Sequence, residues 1–214
     1  MNRSFGAAGQ PETVVLPRPM TSASKTARIQ YMLEDKRGRL ISTQDVYRGR
    51  IVDLIVDEIE ISGKRTIREV VRHPGGVVVL ALTSEGSIPF VRQHRYPVNR
   101  EVLELPAGKI DNREDPSEAA ARELEEETGF RAESLIPALS FYSSPGFCDE
   151  LLHFFFAPKV RRVGANPEFD EHLEVEFYSL AEALQLIDRG EIQDAKTICG
   201  IYWLHNQNHD AHHD

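Results

Sequence analysis

The chain has little of what secreted or membrane-spanning proteins need. Its two cysteines, Cys148 and Cys199, are too few for a disulfide framework, so we expect reduced thiols. No apolar run approaches the roughly 20 residues that a membrane-spanning helix requires. The first residues of the chain also lack the apolar stretch of a secretory signal. These absences predict a cytoplasmic protein that has no membrane partner.

Positive charge is also scarce. The chain has 25 Lys and Arg against 34 Asp and Glu, which gives a formal net charge of −9. Nonspecific nucleic-acid binding depends on a basic surface, so nucleic acid is not an expected partner. A negatively charged substrate would have to be bound through metal ions and a few well-placed arginines.

Composition divides the 214 residues into four parts. Residues 1–25 are rich in Ser, Pro, Ala and Gly, which predicts a disordered leader. An antiparallel β segment is expected at 26–73, with a turn at Ser62-Gly63-Lys64 inside it. The main domain is expected at 74–207. The histidine-rich end lacks metal-ligand spacing, and 208–214 are interpreted as a frayed polar tail.

Strands and helices alternate in the main domain, which predicts an α/β fold. The run GGVVVLAL at 75–82 is continuously apolar, as is typical of a strand that is buried on both faces. Three further strands are expected at 88–95, 151–157 and 173–178. Two helices are expected near the end of the chain, at 180–189 and 195–205.

The segment GKIDNREDPSEAAARELEEETGF, between Gly108 and Phe130, is the most informative in the chain. Four glutamates fall within the five positions from Glu123 to Glu127. Each like-charged pair one turn apart destabilises a helix by about 0.2–0.5 kcal/mol, so a bound cation is expected. Magnesium is typically held by one or two carboxylates plus substrate phosphates. An acidic helix face in solvent is the alternative interpretation.

The local sequence predicts a helix that begins after Asp115 and ends at Gly129. Aspartate is a good N-cap, and glycine supplies the left-handed residue that commonly ends a helix. At 100° per residue, one face should pack on a sheet; it carries Ala120, Ala121, Leu124 and Thr128. The carboxylates are expected on an adjoining face at the edge of the core; they belong to Glu123, Glu126 and Glu127.

The spacing of this segment resembles the signature of the Nudix hydrolases. That signature has a glycine, five residues, a glutamate, seven residues, and then R-E-aliphatic-x-E-E-x-G followed by an aliphatic or aromatic residue. The positions are filled here by Gly108, Glu114, Arg122, Glu123, Leu124, Glu126, Glu127, Gly129 and Phe130. The resemblance implies an α/β/α sandwich with a mixed β-sheet, and hydrolysis of a nucleoside diphosphate linked to another group, with Mg²⁺ or Mn²⁺.

The resemblance also implies roles for the residues of the segment. Glu123 and Glu127 would be metal ligands, and Glu126 would be a ligand or would orient the attacking water. Arg122 would hold these glutamates in place, and Glu114 would brace the preceding loop. The metal ions would neutralise the pyrophosphate and lower the pKa of a bound water that attacks phosphorus in line.

A second motif resembles the ADP-ribose pyrophosphatase branch of the family. In FYSSPGFCDE, Pro145 follows Gly129 by sixteen residues, and VRQHRYP, LELPAGKID and REVVRHPGGV also fit this branch. Taken alone, the tripeptide SPG would be read as an ordinary turn. The branch implies that the backbone carbonyl of Ala107 binds metal. It implies substrate contacts from Arg68, Glu69, Gln93, Arg95, Gly146 and Phe147.

This branch also places a further glutamate on a loop before the last strand, where it acts as a general base or contacts metal. The loop here reads NPEFDEHLEV and offers several carboxylates. Glu171 is the preferred candidate because it lies just before the strand, and Glu168 is the second. Asp170 and Glu174 are weaker candidates, and an acidic exposed loop without function is the alternative.

The resemblance therefore predicts Mg²⁺-dependent hydrolysis of ADP-ribose to AMP and ribose 5-phosphate. It predicts a homodimer in which the N-terminal β segment completes the partner's substrate site. Another nucleoside diphosphate sugar, such as GDP-mannose or a UDP-sugar, is an alternative because the motif recognises only the diphosphate. A non-catalytic ligand sensor is a second alternative, but binding alone would not need all three of Glu123, Glu126 and Glu127.

Overall fold

The computed structural model describes residues 38–111, 114–164 and 173–210. The described residues up to 42 form one compact unit with 58–66, and 43–57 form the other with the described residues from 67 onward. The predicted leader at 1–25 and the loop candidates Glu168, Asp170 and Glu171 lie outside the described residues.

The strands, in chain order, are β1 (Arg39–Arg48), β2 (Asp53–Ile61), β3 (Lys64–Arg72), β4 (Gly76–Ala81), β5 (Ile88–Arg95), β6 (Arg100–Glu104), β7 (Ala107–Lys109), β8 (Phe130–Ala132), β9 (Ile136–Tyr142), β10 (Leu151–Ala157), β11 (Val160–Arg162) and β12 (Leu173–Tyr178). The α-helices are α1 (Pro116–Thr128), α2 (Leu180–Asp188) and α3 (Ala195–Asp210). A short 3₁₀ helix covers Tyr96–Val98.

The central sheet has the order β7-β4-β10-β9 and mixes parallel and antiparallel pairs. Strand β4 runs parallel to β10, with Val78 opposite Phe154, and antiparallel to β7. A second sheet has the order β12-β5-β6 and is antiparallel throughout. The two smaller sheets are β1-β2-β3 and β11-β8.

Strand β4 is buried along its whole length because helices cover both faces of its sheet. On one face, Val77 and Val79 pack in a cluster that includes Leu124 of α1. On the other face, Val78 packs in a cluster that includes Ile201 of α3. Successive side chains of a strand point to opposite faces, so an uninterrupted apolar run supplies both clusters. The predicted α/β/α arrangement is confirmed.

The predicted caps of α1 are present. The side chain of Asp115 accepts a hydrogen bond from the Ser117 N–H at 2.8 Å, and Gly129 ends the helix with φ 72°. The predicted core face is wrong at one position, because Ala121 is exposed and Ala119 is buried in its place. The buried arc is rotated toward the acidic side of the helix. Its members are Ala119, Ala120, Glu123, Leu124, Glu127 and Thr128.

One further predicted boundary is confirmed and one is wrong. The turn between β2 and β3 is confirmed, with left-handed backbone at Ser62 (φ 51°) and Gly63 (φ 76°). The last helix was predicted to end at 205 and its tail to begin at 208, but α3 continues to Asp210. Residues 206–210 contain neither glycine nor proline, so no helix-breaking residue stops the helix where the sequence becomes polar.

Candidate active site

Arg122 is the centre of a hydrogen-bond network on α1. Its Nη1 donates to Glu123 at 2.7 Å and to Glu126 at 3.1 Å. Its Nε and Nη2 donate to the two carboxylate oxygens of Glu114 at 3.0 and 3.1 Å. Its Nη2 also donates to the Lys109 carbonyl at 3.3 Å, which joins the helix to the end of β7. Arg122 therefore contacts three of the predicted glutamates at once.

The ion pair between Arg122 and Glu114 shifts the pKa of both side chains. The hydrogen bonds to Glu114 are the largest cause of the raised pKa of Arg122, and burial opposes them. The same hydrogen bonds lower the pKa of Glu114. Both residues therefore stay charged at neutral pH, so the network persists under ordinary conditions.

Glu123 and Glu127 lie against the backbone of β7. Glu127 is 3% exposed, and its Oε2 accepts a hydrogen bond from the Ala107 N–H at 3.0 Å. Glu123 is 8% exposed and lies beside Gly108, where an added Cβ would come within 2.0 Å of its carboxylate. The glycine of the motif is required here because only a residue without a side chain lets the carboxylate come so near the chain.

These carboxylates face a cavity of about 1050 Å³. Most of the residues that were predicted to bind metal or the substrate phosphates line this cavity. Glu126 is not among the lining residues. The predicted residues that line the cavity are Gln93, Arg95, Ala107, Arg122, Glu123 and Glu127. The structure therefore brings together, at one cavity, residues from β5, β7 and α1 that are up to 34 positions apart in the chain.

The donor set at the cavity fits a divalent cation. Carboxylate oxygens are the ligands that Mg²⁺ and Mn²⁺ prefer, and burying two carboxylates side by side is costly unless positive charge lies close to them. Among the described residues, no group of three His, Cys, Asp or Glu side chains converges on one metal position. The pair Glu123 and Glu127 would thus need oxygen ligands from backbone, water or substrate to complete the coordination.

Four residues at the cavity wall were not identified as a group from the sequence. Arg95 donates to both carboxylate oxygens of Glu104, each at 2.7 Å. Lys196 contacts the same carboxylate and also donates to Asp194 at 2.9 Å. Burial alone would raise the pKa of Glu104, but the hydrogen bonds and charges of Arg95 and Lys196 outweigh it and lower that pKa. Glu104 is therefore ionised although it is 2% exposed.

Gln93 was predicted beside Arg95, and both line the cavity from alternate positions of β5. Its Oε1 is buried, and in the described part of the chain it has no hydrogen-bond partner. A buried acceptor without a donor is uncommon in native structures, and a bound ligand is one way to satisfy it. A substrate role for Gln93 stays a prediction.

The other predicted substrate residues are not in the cavity lining. Arg68 and Glu69 are exposed on β3. Phe147 is 57% exposed, and its carbonyl accepts a hydrogen bond from the Val71 N–H at 2.7 Å. Gly146 precedes it and has open space around its Cα. The segment around Gly146 and Phe147 is thus joined to the same strand that carries Arg68 and Glu69.

Residues 72–200 match the NUDIX domain, and the chain belongs to the Nudix hydrolase family. It is 43% identical over 175 residues to "ADP-ribose pyrophosphatase" of Bacillus subtilis, covering 80% of this chain and 93% of that protein. It is 41% identical over 172 residues to "Methanol dehydrogenase activator" of Bacillus methanolicus, covering 79% and 93%. A crystal structure of an ADP compounds hydrolase has the same fold, with a TM-score of 0.71 and 21% identity over 80% of this chain and 94% of that one.

In the part of the chain that the structure describes, no helix has the length and apolar character needed to cross a membrane.

Proposed function

We propose that this protein hydrolyses the pyrophosphate bond of ADP-ribose, giving AMP and ribose 5-phosphate, with a divalent metal ion. The observation that carries the proposal is the buried pair Glu123 and Glu127 at a cavity of about 1050 Å³. That volume is large enough for a nucleotide sugar. The choice of ADP-ribose rests on the relative named as an ADP-ribose pyrophosphatase, which is 43% identical.

Three residues would hold the metal ion, and Arg122 would orient one of them. Glu123 and Glu127, with the backbone at Ala107, would hold Mg²⁺ or Mn²⁺. The bound metal would neutralise the diphosphate and activate a water for attack on phosphorus. Arg122 holds Glu123 by its hydrogen bond of 2.7 Å and would keep it oriented toward the cavity.

Further groups would bind substrate or move a proton. Arg95 would attract the negatively charged diphosphate from the cavity wall, and Gln93 would accept a hydrogen bond from a substrate hydroxyl. Glu126, held by Arg122 at 3.1 Å, would orient the attacking water. Glu171, outside the described residues, would be the general base that takes the proton of that water.

A substrate panel tests the proposal. Purified protein is incubated with ADP-ribose, GDP-mannose, a UDP-sugar and ADP-glucose, each with Mg²⁺, with Mn²⁺ and with a chelator. We expect the highest kcat/KM for ADP-ribose, with AMP and ribose 5-phosphate as products and no turnover after chelation. Preference for another sugar nucleotide would overturn the choice of substrate. Binding without any turnover would overturn the enzymatic proposal and favour a ligand sensor.

The homodimer is part of the same proposal. Within residues 43–57 and from 67 onward, several apolar side chains of the β1–β3 region are exposed; Val46, Tyr47, Ile51 and Ile67 range from 51% to 62%. Exposed apolar side chains are candidates for burial against a partner. Arg68 and Glu69 directly follow Ile67 on β3 and do not line the cavity of their own chain. They would instead reach the substrate that is bound to the partner subunit. Both residues belong to the N-terminal segment, which we propose at 26–73, and the catalytic domain is proposed at 74–207.

Mixing two inactive variants tests the cross-subunit arrangement. One variant carries Arg68→Ala with Glu69→Ala, and the other carries Glu127→Gln. If the two functions come from different subunits, a mixed dimer contains one complete site and regains activity. No recovery after subunit exchange, shown independently by mass spectrometry of the mixed dimer, would mean that each site is built from one chain.

A further inference from the structure

Four charged side chains form a compact cluster where β6 meets the start of α3. Glu104 at the end of β6 is 2% exposed and accepts two hydrogen bonds of 2.7 Å from Arg95. Its Oε2 is shared with Lys196, whose side chain is 13% exposed. Lys196 also donates to Asp194 at 2.9 Å. The cluster holds two positive and two negative charges and is therefore neutral.

The position of Lys196 is unfavourable for stability alone. It lies in the first turn of α3, where the helix dipole disfavours a positive charge. Burying an ion pair is also costly, and apolar replacements of the same size are often as stable. The local fold has other means of support, since the Thr197 hydroxyl oxygen accepts a hydrogen bond from the Leu105 N–H at 2.8 Å and its O–H donates to the Asp194 carboxylate at 2.6 Å. Lys196 compensates part of the buried charge of Glu104, but Arg95 already donates two hydrogen bonds to that carboxylate, so charge compensation alone does not require a lysine here.

The cluster opens onto the cavity that Glu123 and Glu127 also line. Arg95 uses Nε and Nη2 on Glu104, and its side chain is still 39% exposed. In the described part of the chain, its Nη1 has no hydrogen-bond partner, so a donor remains for a ligand in the cavity. An ammonium group has three donors, and Lys196 uses two of them on Glu104 and Asp194.

We propose that Lys196 is a second cationic substrate-binding residue, and that Glu104 is the positioning residue that fixes Arg95 and Lys196 side by side toward the diphosphate. The inference rests on the proposed function, because it assigns these residues to the same nucleotide-sugar cavity. Glu104 holds the planar guanidinium by two parallel hydrogen bonds, which sets its direction. The shared oxygen keeps the ammonium group next to it. Two cations held in this way would bind two phosphate groups without reordering long side chains.

Lys196→Met tests the binding role of the lysine. Methionine keeps the unbranched apolar stem and removes the charge. We expect KM for ADP-ribose to rise about tenfold or more, because hydrogen bonds to charged groups are among the stronger ones, while kcat changes by less than about threefold. Lys196→Arg should restore most of the affinity, because it returns the positive charge. Lys159→Met is the matched control, since Lys159 forms an exposed ion pair with Glu133 and does not line the cavity.

Glu104→Gln tests the positioning role. We expect KM to rise in this variant too, with a smaller additional rise when Lys196→Met is added, because the two residues act as a unit. Effects on KM that add fully would mean that Glu104 does not position the lysine. If Lys196→Met does not fold, Lys196→Gln removes the same charge and keeps a polar donor for Glu104.

Several outcomes would overturn the inference. A folded Lys196→Met protein with wild-type KM and kcat would show that the lysine is structural only, as would a lowered Tm without a kinetic change. A fall in kcat at unchanged KM would place the lysine in the chemical step and not in binding. The wild-type panel reports separately on the proposed function. If another nucleoside diphosphate sugar is preferred, the same variants are compared on that substrate, because the diphosphate is shared.

Discussion

The backbone N–H of Ala107 donates a hydrogen bond of 3.0 Å to Oε2 of Glu127, twenty residues later in the chain. The bond joins β7 to α1 and sets where the carboxylate lies in the cavity wall. A backbone donor does not change rotamer, so the position of Glu127 is fixed by the fold itself.

We expect Glu127→Gln to lower turnover by at least about two orders of magnitude while the fold remains intact. Glutamine has nearly the same shape and can still accept the Ala107 N–H, but it lacks the charge that a metal ion needs. The kcat at saturating Mg²⁺ and the thermal midpoint are measured together. Glu125→Gln is the control, since Glu125 is on the same helix and pairs with the exposed Arg131. A Glu127→Gln rate near that of wild type would make the metal assignment wrong.

Gly108→Ala should impair the same site through sterics alone. The added Cβ would lie within 2.0 Å of the Glu123 carboxylate, so this side chain has to move out of the cavity wall. We expect weaker metal activation, seen as a higher Mg²⁺ concentration for half-maximal rate. Gly38→Ala is a control for the glycine-to-alanine change, because its nearest neighbour, Ile61 Cγ1, is 3.5 Å away. Unchanged metal dependence in Gly108→Ala would contradict the close approach.

Gly200→Ala should destabilise the protein without acting on the site. A Cβ at this position of α3 would come within 2.6 Å of the Phe154 ring and 2.8 Å of Leu105. Overpacking of this kind costs about 1–3 kcal/mol, which exceeds the gain of up to about 1 kcal/mol in helix propensity. Urea denaturation measures the net loss, with the exposed Cys199→Ala as a neighbouring control. A more stable Gly200→Ala protein would mean that the helix can shift away from β10.

Glu104 should make stability depend on pH in acid. Burial alone would raise its pKa, but Arg95 and Lys196 outweigh this and hold it below the usual 4.5. A carboxyl group with a lowered folded-state pKa stabilises the fold above its unfolded-state pKa, and this stability is lost as the pH falls through the folded-state pKa. The Glu104→Gln protein should thus be about 3 kcal/mol less stable near neutral pH, because the largely buried Lys196 and the half-buried Arg95 lose the anion that they share.

The difference between wild type and Glu104→Gln should shrink as the pH falls below 4.5. Denaturation midpoints of both proteins at several pH values measure it. A difference that stays constant across the acid range would show that the carboxyl of Glu104 does not titrate in the folded state over that range.

The general base is expected at Glu171. It lies two residues before Leu173, which is paired with Gln93 across β12 and β5 at the cavity wall. Loss of a positioned general base costs about 10²–10⁴-fold in rate. We therefore expect Glu171→Gln to lower kcat strongly with little change in KM, and Glu168→Gln to do much less. The reverse order in paired kinetics would shift the assignment along the loop.

The sequence is sufficient to predict the strands and helix ends that short-range patterns determine. The apolar runs of β4 and β10 and the residues that cap α1 were placed within a residue or two, because burial on both faces and helix capping leave short-range signals. Strand β9 was missed, since its sequence IPALSFY mixes a proline and polar residues and shows no clear alternation. Its place in the sheet comes from pairing with β10, which is a long-range property.

In the site, too, contacts between neighbours in the chain could be predicted, and contacts between distant residues could not. The resemblance implied that Arg122 would hold the glutamates, but helical spacing accounts only for its contact with Glu126, four residues later, because Glu114 lies before the helix. Glu104 could not be recognised, because LELP looks like a partly buried strand end and its partner Lys196 is 92 positions away. Only the fold brings them together. The possible signal was indirect: a glutamate between two leucines that are buried needs a buried cation.

One guanidinium binds Glu114, Glu123 and Glu126, so these three acids share a single support. Removing any one of them releases part of Arg122 and changes the orientation of the other two. Single substitutions at these positions therefore do not report separable contributions, and their effects on rate should not add when combined. In this enzyme, the effect of a substitution at Arg122 or at any of its three acids should depend on which residues occupy the other three positions. Substitutions within this group of four are therefore expected to be epistatic.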